Sequence, residues 1–266
     1  MGRRLFSCLG KGSSSSRVQG KNNGSVVDSS AATCPDGPVL VELFSSQGCA
    51  TSSAAELLLS RLVRGDYQLD APVLVLSYHV DNMGGKDPYA SSKWTVRQKA
   101  YVQALKIDDM FIPRVVVQGR AHCPANEEDA LLSTIASAPR FPAPKFKANF
   151  QRPTSETLEV TLTGVLRYKV DNNVDNVMVA LYESGLVNEC LNGENKGKTL
   201  YNDFVVRKLE KLHTMEDISA MKTLSVTVRF TLWDGFNSNK CSIVVFVQNI
   251  SQQIFGSQNF QLPDDL

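Results

Sequence analysis

The chemistry in this sequence centres on Cys49, a thiol that directly precedes an amphipathic segment. Residues 39–44 form a short apolar run, and residues 50–63 place apolar side chains at helical spacing. The sequence therefore predicts a strand, a turn and a helix, with Cys49 at the start of the helix. The unpaired N–H groups and the positive dipole end at such a position stabilise a thiolate. We expect Cys49 to be a nucleophile, although spacing alone is equally compatible with a buried, unreactive cysteine.

A second polar group follows the next apolar run, at residues 72–78. His79 and Asp81 stand directly after it, ahead of a polar loop at residues 82–89. Ligands bind at the carboxyl ends of strands in open α/β sheets, so His79 is expected at the same edge as Cys49. His79 is then a candidate to deprotonate the thiol, or to bind a ligand while Asp81 orients its ring. The alternative is a structural histidine beside loop-capping carboxylates.

The elements that must position these residues alternate between strand and helix. Periodicity predicts strands at residues 39–44, 72–78, 111–117 and 121–123, and helices at residues 50–63, 94–105 and 126–136. Alternation of this kind implies parallel pairing with right-handed crossovers. The closing hairpin makes the predicted sheet mixed.

The pattern changes after a proline-rich linker at residues 139–145. Period-two alternation or continuous apolar runs predict strands at residues 157–163, 176–182, 224–232 and 242–247. Short strands separated by turn residues are typical of an antiparallel β-sandwich. We therefore predict a polar, disordered tail over residues 1–36, an α/β domain over residues 37–138, the linker, and a β-sandwich domain over residues 146–266.

Composition narrows the classes of partner and compartment. Lys and Arg total 28 against 27 for Asp and Glu, and a formal net charge of +1 argues against nucleic acid as the main partner. We find no apolar run that would span a membrane and no secretory signal, so we expect a cytoplasmic protein. The N-terminal residues Gly2 and Cys8, with basic residues between them, leave a lipid anchor open. A plastid transit peptide is a further alternative.

The other cysteines are not spaced for a metal site. None of the six forms a C-x-x-C pair, and the sequence has three histidines, so we expect no bound metal. Cys190 and Cys241 could pair, but a reducing compartment favours two free thiols. Residues 193–197 lack the strand, loop and helix of a phosphate-binding motif, and we expect them to form a turn that packs against the first domain.

Residues 41–49 resemble the opening motif of a thioredoxin-like family known as domain of unknown function 1223. Further motifs in the same order extend the resemblance over residues 38–262. They are His79-Val80-Asp81, Lys86-Asp87, Arg97-Gln98-Lys99-Ala100-Tyr101, Ile112-Pro113, Val115-Val116-Val117, Leu181-Tyr182-Glu183 and Gly193-Glu194-Asn195-Lys196-Gly197. The resemblance implies a thioredoxin-like fold for the first domain. The family is poorly characterised, so the resemblance implies fold better than function.

One position departs from the family pattern. Members usually carry C-x-x-C here, whereas this chain has Ser52 in place of the second cysteine. A hydroxyl cannot form a disulfide, so exchange within the motif is lost, but a lone Cys49 can still attack a mixed disulfide. The Ser52 hydroxyl could donate a hydrogen bond to the thiolate, because residues three apart share a helix face. Two interpretations stay open: a monothiol oxidoreductase, or a protein that has lost redox chemistry. Cys123 is either a replacement resolving thiol or a buried residue.

The resemblance also implies a substrate-binding set. Thioredoxin-like folds place a cis-proline before the third core strand, facing the thiol, and Ile112-Pro113 resembles that motif. The backbone of Ile112 would then pair with a substrate peptide, whereas an ordinary trans proline is the alternative. We expect Gly48, Ile112, Pro113 and Asp81 to bind substrate, which would be a protein or peptide thiol or disulfide. We expect no cofactor, with glutathione as the alternative. The alternative function is a non-catalytic module that binds a peptide in the same groove.

Overall fold

Strands dominate the residues that the computed structural model describes, namely 25–28, 36–81, 87–167, 175–215 and 223–266. The strands are β1 (Ser25–Asp28), β2 (Val39–Ser45), β3 (Val73–His79), β4 (Arg114–Val117), β5 (Ala121–Pro124), β6 (Lys145–Thr154), β7 (Thr157–Val165), β8 (Asp175–Glu183), β9 (Leu186–Glu189), β10 (Thr199–Asn202), β11 (Val205–Met215), β12 (Thr223–Thr231), β13 (Cys241–Gln248) and β14 (Ile254–Gln261). The helices are α1 (Ala50–Arg64), α2 (Ser92–Ala104) and α3 (Glu128–Ala136). The order β2, α1, β3, α2, β4, β5, α3 agrees with the predicted alternation.

The largest sheet is mixed, as predicted. Its eight strands run in the order β14, β13, β8, β11, β3, β2, β4, β5. β3 pairs in parallel with β2 and with β11, and the other neighbours are antiparallel. β11 meets β3 where Val205 pairs with Ser77. Strands from both sides of the predicted linker therefore belong to one continuous sheet.

β2 is fully buried because an apolar layer covers each of its faces. Successive side chains alternate between the faces. Leu43 packs beneath α1 with Leu59, whereas Leu40 and Phe44 pack on the opposite face with Tyr101 of α2. Full burial of one such side chain stabilises the fold by about 1.5–3 kcal/mol. These two layers fix the end of β2. Residues 46–49, here called the Cys49 loop, follow it and lead into α1.

A buried ion pair also attaches α2 to the sheet. Arg97 lies 2.8 Å from the carboxylate of Glu42, which has no exposed surface. The Tyr101 hydroxyl donates to the same carboxylate, and Gln248 of β13 contacts both Arg97 and Tyr101. A buried charge is tolerated when it is paired and hydrogen-bonded, and this network meets that condition. It connects α2, β2 and β13.

A second sheet faces the outer strands of the first. Its order is β1, β6, β7, β12. Phe150, Leu162 and Phe230 of this sheet pack with Val179 and Val245 of β8 and β13. An apolar core therefore fills the space between the two layers. None of the helices in the described residues is long and apolar enough to cross a membrane.

β1 lies inside the segment predicted to be disordered. Ser25–Asp28 pair antiparallel with residues 147–150 of β6. The expectation of disorder over residues 1–36 therefore does not hold for these four residues, whose two adjacent valines favour a strand. Residues 1–24 and 29–35, which include Gly2 and Cys8, lie outside the described residues.

The sequence prediction also misses β6, β9, β10, β11 and β14. β11 is the most consequential omission, because it joins β8 to β3. Its apolar residues are separated by pairs of polar ones, as at Val206, Leu209 and Leu212, so the period-two alternation of a strand is absent. The tertiary pairing, rather than local pattern, makes it a strand.

Candidate functional site

Cys49 is the residue that directly precedes α1, as predicted. Its backbone is extended (φ −94°, ψ 123°), and its side chain is largely buried, with 9% of the residue exposed. The sulfur lies 3.2 Å from the hydroxyl oxygen of Thr51. Burial raises the pKa of the Cys49 thiol, but hydrogen bonds from Ser52 and Thr51 outweigh it and leave the pKa below its ordinary value. The environment therefore favours the thiolate.

Ser52 and Thr51 differ in how firmly they are held. Ser52 has no exposed surface, and its hydroxyl also accepts a hydrogen bond from the Ser46 N–H at 3.3 Å. Ser52 also lowers the pKa of the Cys49 thiol, which is the effect expected of a hydrogen bond to the sulfur. Thr51 is exposed and was not predicted. A hydroxyl residue in the first helical turn, beside the thiol, is the sequence signal that could have found it.

A turn from a distant part of the chain packs against the Cys49 loop. The Asn195 amide donates to the carbonyl oxygens of Gln47 and Cys49, both at 2.9 Å. The Cys190 sulfur lies 3.4 Å from the same Gln47 carbonyl. The turn that contains Asn195 connects β9 to β10, and its packing here agrees with the sequence prediction for residues 193–197.

The same turn engages Gly48 and the start of α1. The Gly48 carbonyl accepts a hydrogen bond from the Glu194 N–H at 2.8 Å. The Glu194 carboxylate accepts one from the Ala50 N–H at 3.0 Å. Gly193 lies so close to Gly48 that a side chain on Gly193 would overlap the carbonyl oxygen of Gly48. Gly48, predicted to bind substrate, thus has its carbonyl occupied by the protein.

His79 lies at the end of β3, fully buried between two carboxylates. Its Nδ1 is 2.8 Å from Asp87 and its Nε2 is 3.5 Å from Glu56. Burial lowers the pKa of His79, but the charge of Glu56 and the hydrogen bond to Asp87 outweigh it and raise the pKa above its ordinary value. The carboxylate that orients the ring is therefore Asp87. Asp81, which the sequence assigned to this task, is exposed.

The carboxylates of Asp87 and Glu56 hold the Cys49 loop and the adjacent end of β2 in place. Asp87 accepts hydrogen bonds from the backbone N–H of Gln47 at 2.9 Å and of Tyr89 at 3.0 Å. Burial raises the pKa of Asp87, but the hydrogen bond and charge of His79, together with the two backbone N–H groups, outweigh burial and lower the pKa. Burial raises the pKa of Glu56, which accepts a hydrogen bond from Ser45 at 2.6 Å. These contacts favour a structural role for His79 over a role as the general base that deprotonates Cys49.

The Ile112-Pro113 peptide bond is cis, as predicted. β4 begins at the next residue, Arg114, which pairs with Phe44 near the end of β2. Pro113 therefore lies at the same end of the sheet as the Cys49 loop. Ile112 is partly buried, and its backbone N–H and C=O find no hydrogen-bond partner among the described residues.

The described cysteines are free thiols. Cys123 packs in the apolar cluster beneath α1 and α3, and burial raises the pKa of its thiol. Cys241 packs between the two sheets, where burial raises the pKa of its thiol to about 12. Cys190 lies against the Cys49 loop, a position that sequence reasoning did not predict.

Comparisons with known proteins place the chain by family and fold. A family model described as a protein of unknown function (DUF1223) matches residues 40–248. A structural-genomics protein from Agrobacterium tumefaciens shares 21% identity and a TM-score of 0.55, over 86% of this chain and 95% of that chain. HBP35 of Porphyromonas gingivalis shares 14% identity and a TM-score of 0.63, over 85% of this chain and 76% of that chain. A search of curated proteins gave no match. At these identities the structures inform on fold alone.

Proposed function

The chain belongs to the DUF1223 family of proteins of unknown function, and we propose that it is a monothiol thiol–disulfide oxidoreductase with Cys49 as its nucleophile. The observation that carries this proposal is the state of the sulfur. It stands at the start of α1, and hydrogen bonds from Ser52 and Thr51 bring its pKa below the ordinary value despite burial. A thiol in that state is more nucleophilic at neutral pH than a free cysteine.

The proposal includes a finer fold assignment. We assign residues 37–138 to a thioredoxin-like domain and residues 146–266 to a β-sandwich. The order of elements from β2 to α3, with Pro113 immediately before β4, supports the first assignment. The facing sheets with an apolar core between them support the second.

The proposed reaction needs one protein sulfur. The Cys49 thiolate attacks the glutathione sulfur of a mixed disulfide; the old S–S bond breaks, a new one forms between Cys49 and glutathione, and the substrate leaves as a thiolate. A second glutathione thiolate then attacks the Cys49 adduct. This releases oxidised glutathione and regenerates the Cys49 thiolate, so one disulfide is exchanged for another at each step. Reduced glutathione, which the second step consumes, is available in the cytoplasm that we predict for this protein.

Ile112 is the proposed docking point for substrate backbone. Its N–H and C=O have no partner among the described residues, and Pro113 holds them at the end of the sheet that carries Cys49. A substrate peptide would pair with these two groups in an extended conformation. Pairing of this kind orients the substrate disulfide toward the thiol without a side-chain contact.

One observation favours the alternative, a non-catalytic peptide-binding module. Cys49 is 9% exposed, and the turn that carries Asn195 holds its loop in place. A disulfide must therefore reach a sulfur with little open surface. The two functions differ in what they require of Cys49: the enzyme needs its thiolate, and the binding module does not.

The rate of Cys49 alkylation by iodoacetamide between pH 5 and 9 tests the enzyme. We expect the midpoint of the rate against pH to lie below that of a free cysteine peptide, and Cys49→Ser to abolish the fast phase. Thr51→Val removes one hydrogen bond to the sulfur, so we expect the alkylation midpoint to rise toward that of the free peptide.

Ser53→Ala is the matched control for Thr51→Val. The Ser53 hydroxyl lies on the same turn but donates to the Ala50 carbonyl, so its loss should leave the midpoint unchanged. If Cys49 alkylates no faster than the free peptide at mildly acidic pH, the oxidoreductase proposal is wrong and the binding module is favoured.

A further inference from the structure

Arg114 is a buried cation that forms no ion pair with any residue in the described part of the chain. The residue is 2% exposed, and its Nε and Nη1 atoms are enclosed without a hydrogen-bond partner among the described residues. Phe111 covers one face of the guanidinium, with the ring centroid 3.9 Å from Cζ. A ring face attracts a cation but leaves the in-plane N–H groups unsatisfied. A buried charge is normally paired, so the arrangement lacks an anion.

The surroundings of Arg114 do not supply that anion. Asp109 is the carboxylate whose charge acts on it, but Asp109 is exposed and forms no ion pair with it among the described residues. On the neighbouring strand β5, His122 lies diagonally opposite Arg114. Burial and the charge of Arg114 both lower the pKa of His122. The region is therefore one of positive potential, and no carboxylate of the described residues forms an ion pair with Arg114.

Position connects this cation to the thiol site. Arg114 pairs with Phe44 near the end of β2, and the Cys49 loop leaves from that same end. Arg114 also follows Pro113 directly, and Ile112, with its unpartnered backbone groups, comes just before. An extended substrate that pairs with Ile112 would pass close to the guanidinium. Phe111, whose ring covers one face of the guanidinium, is itself exposed, so movement of this ring would uncover the guanidinium.

We propose that Arg114 binds a carboxylate of the substrate, and that the preferred substrates are therefore anionic thiols and disulfides of the glutathione type. This rests on the proposed function for the identity of the bound molecule. A carboxylate matches the planar fork of a guanidinium, which can donate two parallel hydrogen bonds to it. Because the N–H groups are already desolvated, the pair would form in a region where charges interact strongly.

Equilibrium binding tests the proposal without any redox step. S-methylglutathione, which carries two carboxylates and no free thiol, is titrated calorimetrically into the full-length Cys49→Ser protein. Arg114→Met in that background should weaken binding at least tenfold. Arg229→Met removes an exposed guanidinium on β12 and should leave the affinity unchanged. Arg114→Met should also raise the melting temperature, because it removes an unpaired buried charge.

A second measurement does not depend on how well the Arg114 variant folds. The diethyl ester of S-methylglutathione lacks both negative charges and should bind the Cys49→Ser protein at least tenfold more weakly than the acid. Equal binding of ester and acid would overturn the proposal, and so would a folded Arg114→Met variant with undiminished affinity. Binding of inorganic phosphate with none of S-methylglutathione would also overturn it, in favour of a free-anion site.

The two proposals fail separately. Slow alkylation of Cys49, together with binding that depends on Arg114, would refute the oxidoreductase and keep the carboxylate site. Fast alkylation with no such binding would keep the oxidoreductase and refute the substrate class.

Discussion

At Cys49, two opposing effects decide the charge of the sulfur. Burial favours the neutral thiol, and hydrogen bonds from Ser52 and Thr51 favour the thiolate. Hydrogen bonds to a charged acceptor are worth about 1.5–3 kcal/mol each, so two hydroxyl donors suffice to reverse the effect of partial burial. Ser52 therefore acts as a donor to the Cys49 sulfur, and as a hydroxyl it cannot form a disulfide with that sulfur.

The buried His79 predicts a dependence of stability on pH. Its pKa is raised because Glu56 and Asp87 favour the charged ring despite burial. The folded protein thus holds this proton more tightly than the unfolded chain. The stabilisation is fully present below about pH 6.5 and is lost as pH rises through the folded-state pKa. Asp87→Asn should lower the pKa of His79 and reduce the fall in unfolding free energy between pH 6 and 9.

Histidine NMR titration and urea unfolding measure these two effects. Asp81→Asn is the control: Asp81 was the carboxylate expected from sequence, but it is exposed, and its replacement should change neither quantity. A larger effect of Asp81→Asn than of Asp87→Asn would show that the arrangement around His79 described above is wrong.

At the scale of elements, the β9–β10 turn and the Cys49 loop behave as one unit. Asn195 bridges two carbonyls of the loop, and Gly193 packs on Gly48 with a positive φ of 67°. The start of α1 is therefore held by a distant segment, since Asn195 and Cys49 are 146 residues apart in sequence. Loop position, and with it access to the sulfur, depends on this contact.

Gly193→Ala should disrupt the contact. The new methyl group would overlap the Gly48 carbonyl. We expect the free energy of unfolding to fall by about 1–3 kcal/mol more than the cost of an alanine in the left-handed conformation. Gly197→Ala is the matched control, because Gly197 also has a positive φ of 81° but has no atom within 4 Å of the position of a Cβ. The free energy of unfolding of Gly197→Ala should fall only by the cost of the left-handed backbone, about 1–2 kcal/mol.

Urea unfolding of the two variants measures the difference, and alkylation shows its effect on the thiol. Gly193→Ala should raise the alkylation rate of Cys49 by exposing the sulfur, while Gly197→Ala should not. Equal losses of stability in both variants would mean that the β9–β10 turn does not pack against the Cys49 loop at Gly193.

At the scale of the whole molecule, one sheet runs through both predicted regions. β11 lies between β8 and β3, and the apolar layer beneath α2 includes Leu76 of β3 together with Val206 and Phe246 of β11 and β13. Removing either region would uncover this layer. We therefore expect the two regions to unfold together.

Two tryptophans report on this cooperativity. Trp94 lies in α2 and contacts Tyr78 of β3, whereas Trp233 follows β12 and packs against the core between the two sheets. In the variants Trp233→Phe and Trp94→Phe, each protein keeps one reporter, and fluorescence should give the same urea midpoint as circular dichroism in both. Two separated midpoints would contradict the expected coupling through β11 and β3.

Sequence alone determined the order of elements from β2 to α3, the mixed sheet, and the place of Cys49 before α1. These features follow from apolar periodicity among near neighbours, which a single sequence displays directly. Only the tertiary structure decided that Asp87 rather than Asp81 meets His79, that Cys190 and Asn195 lie against the Cys49 loop, and that β11 joins the two regions. Such contacts depend on which faces bury one another across long separations, and no local pattern encodes that choice.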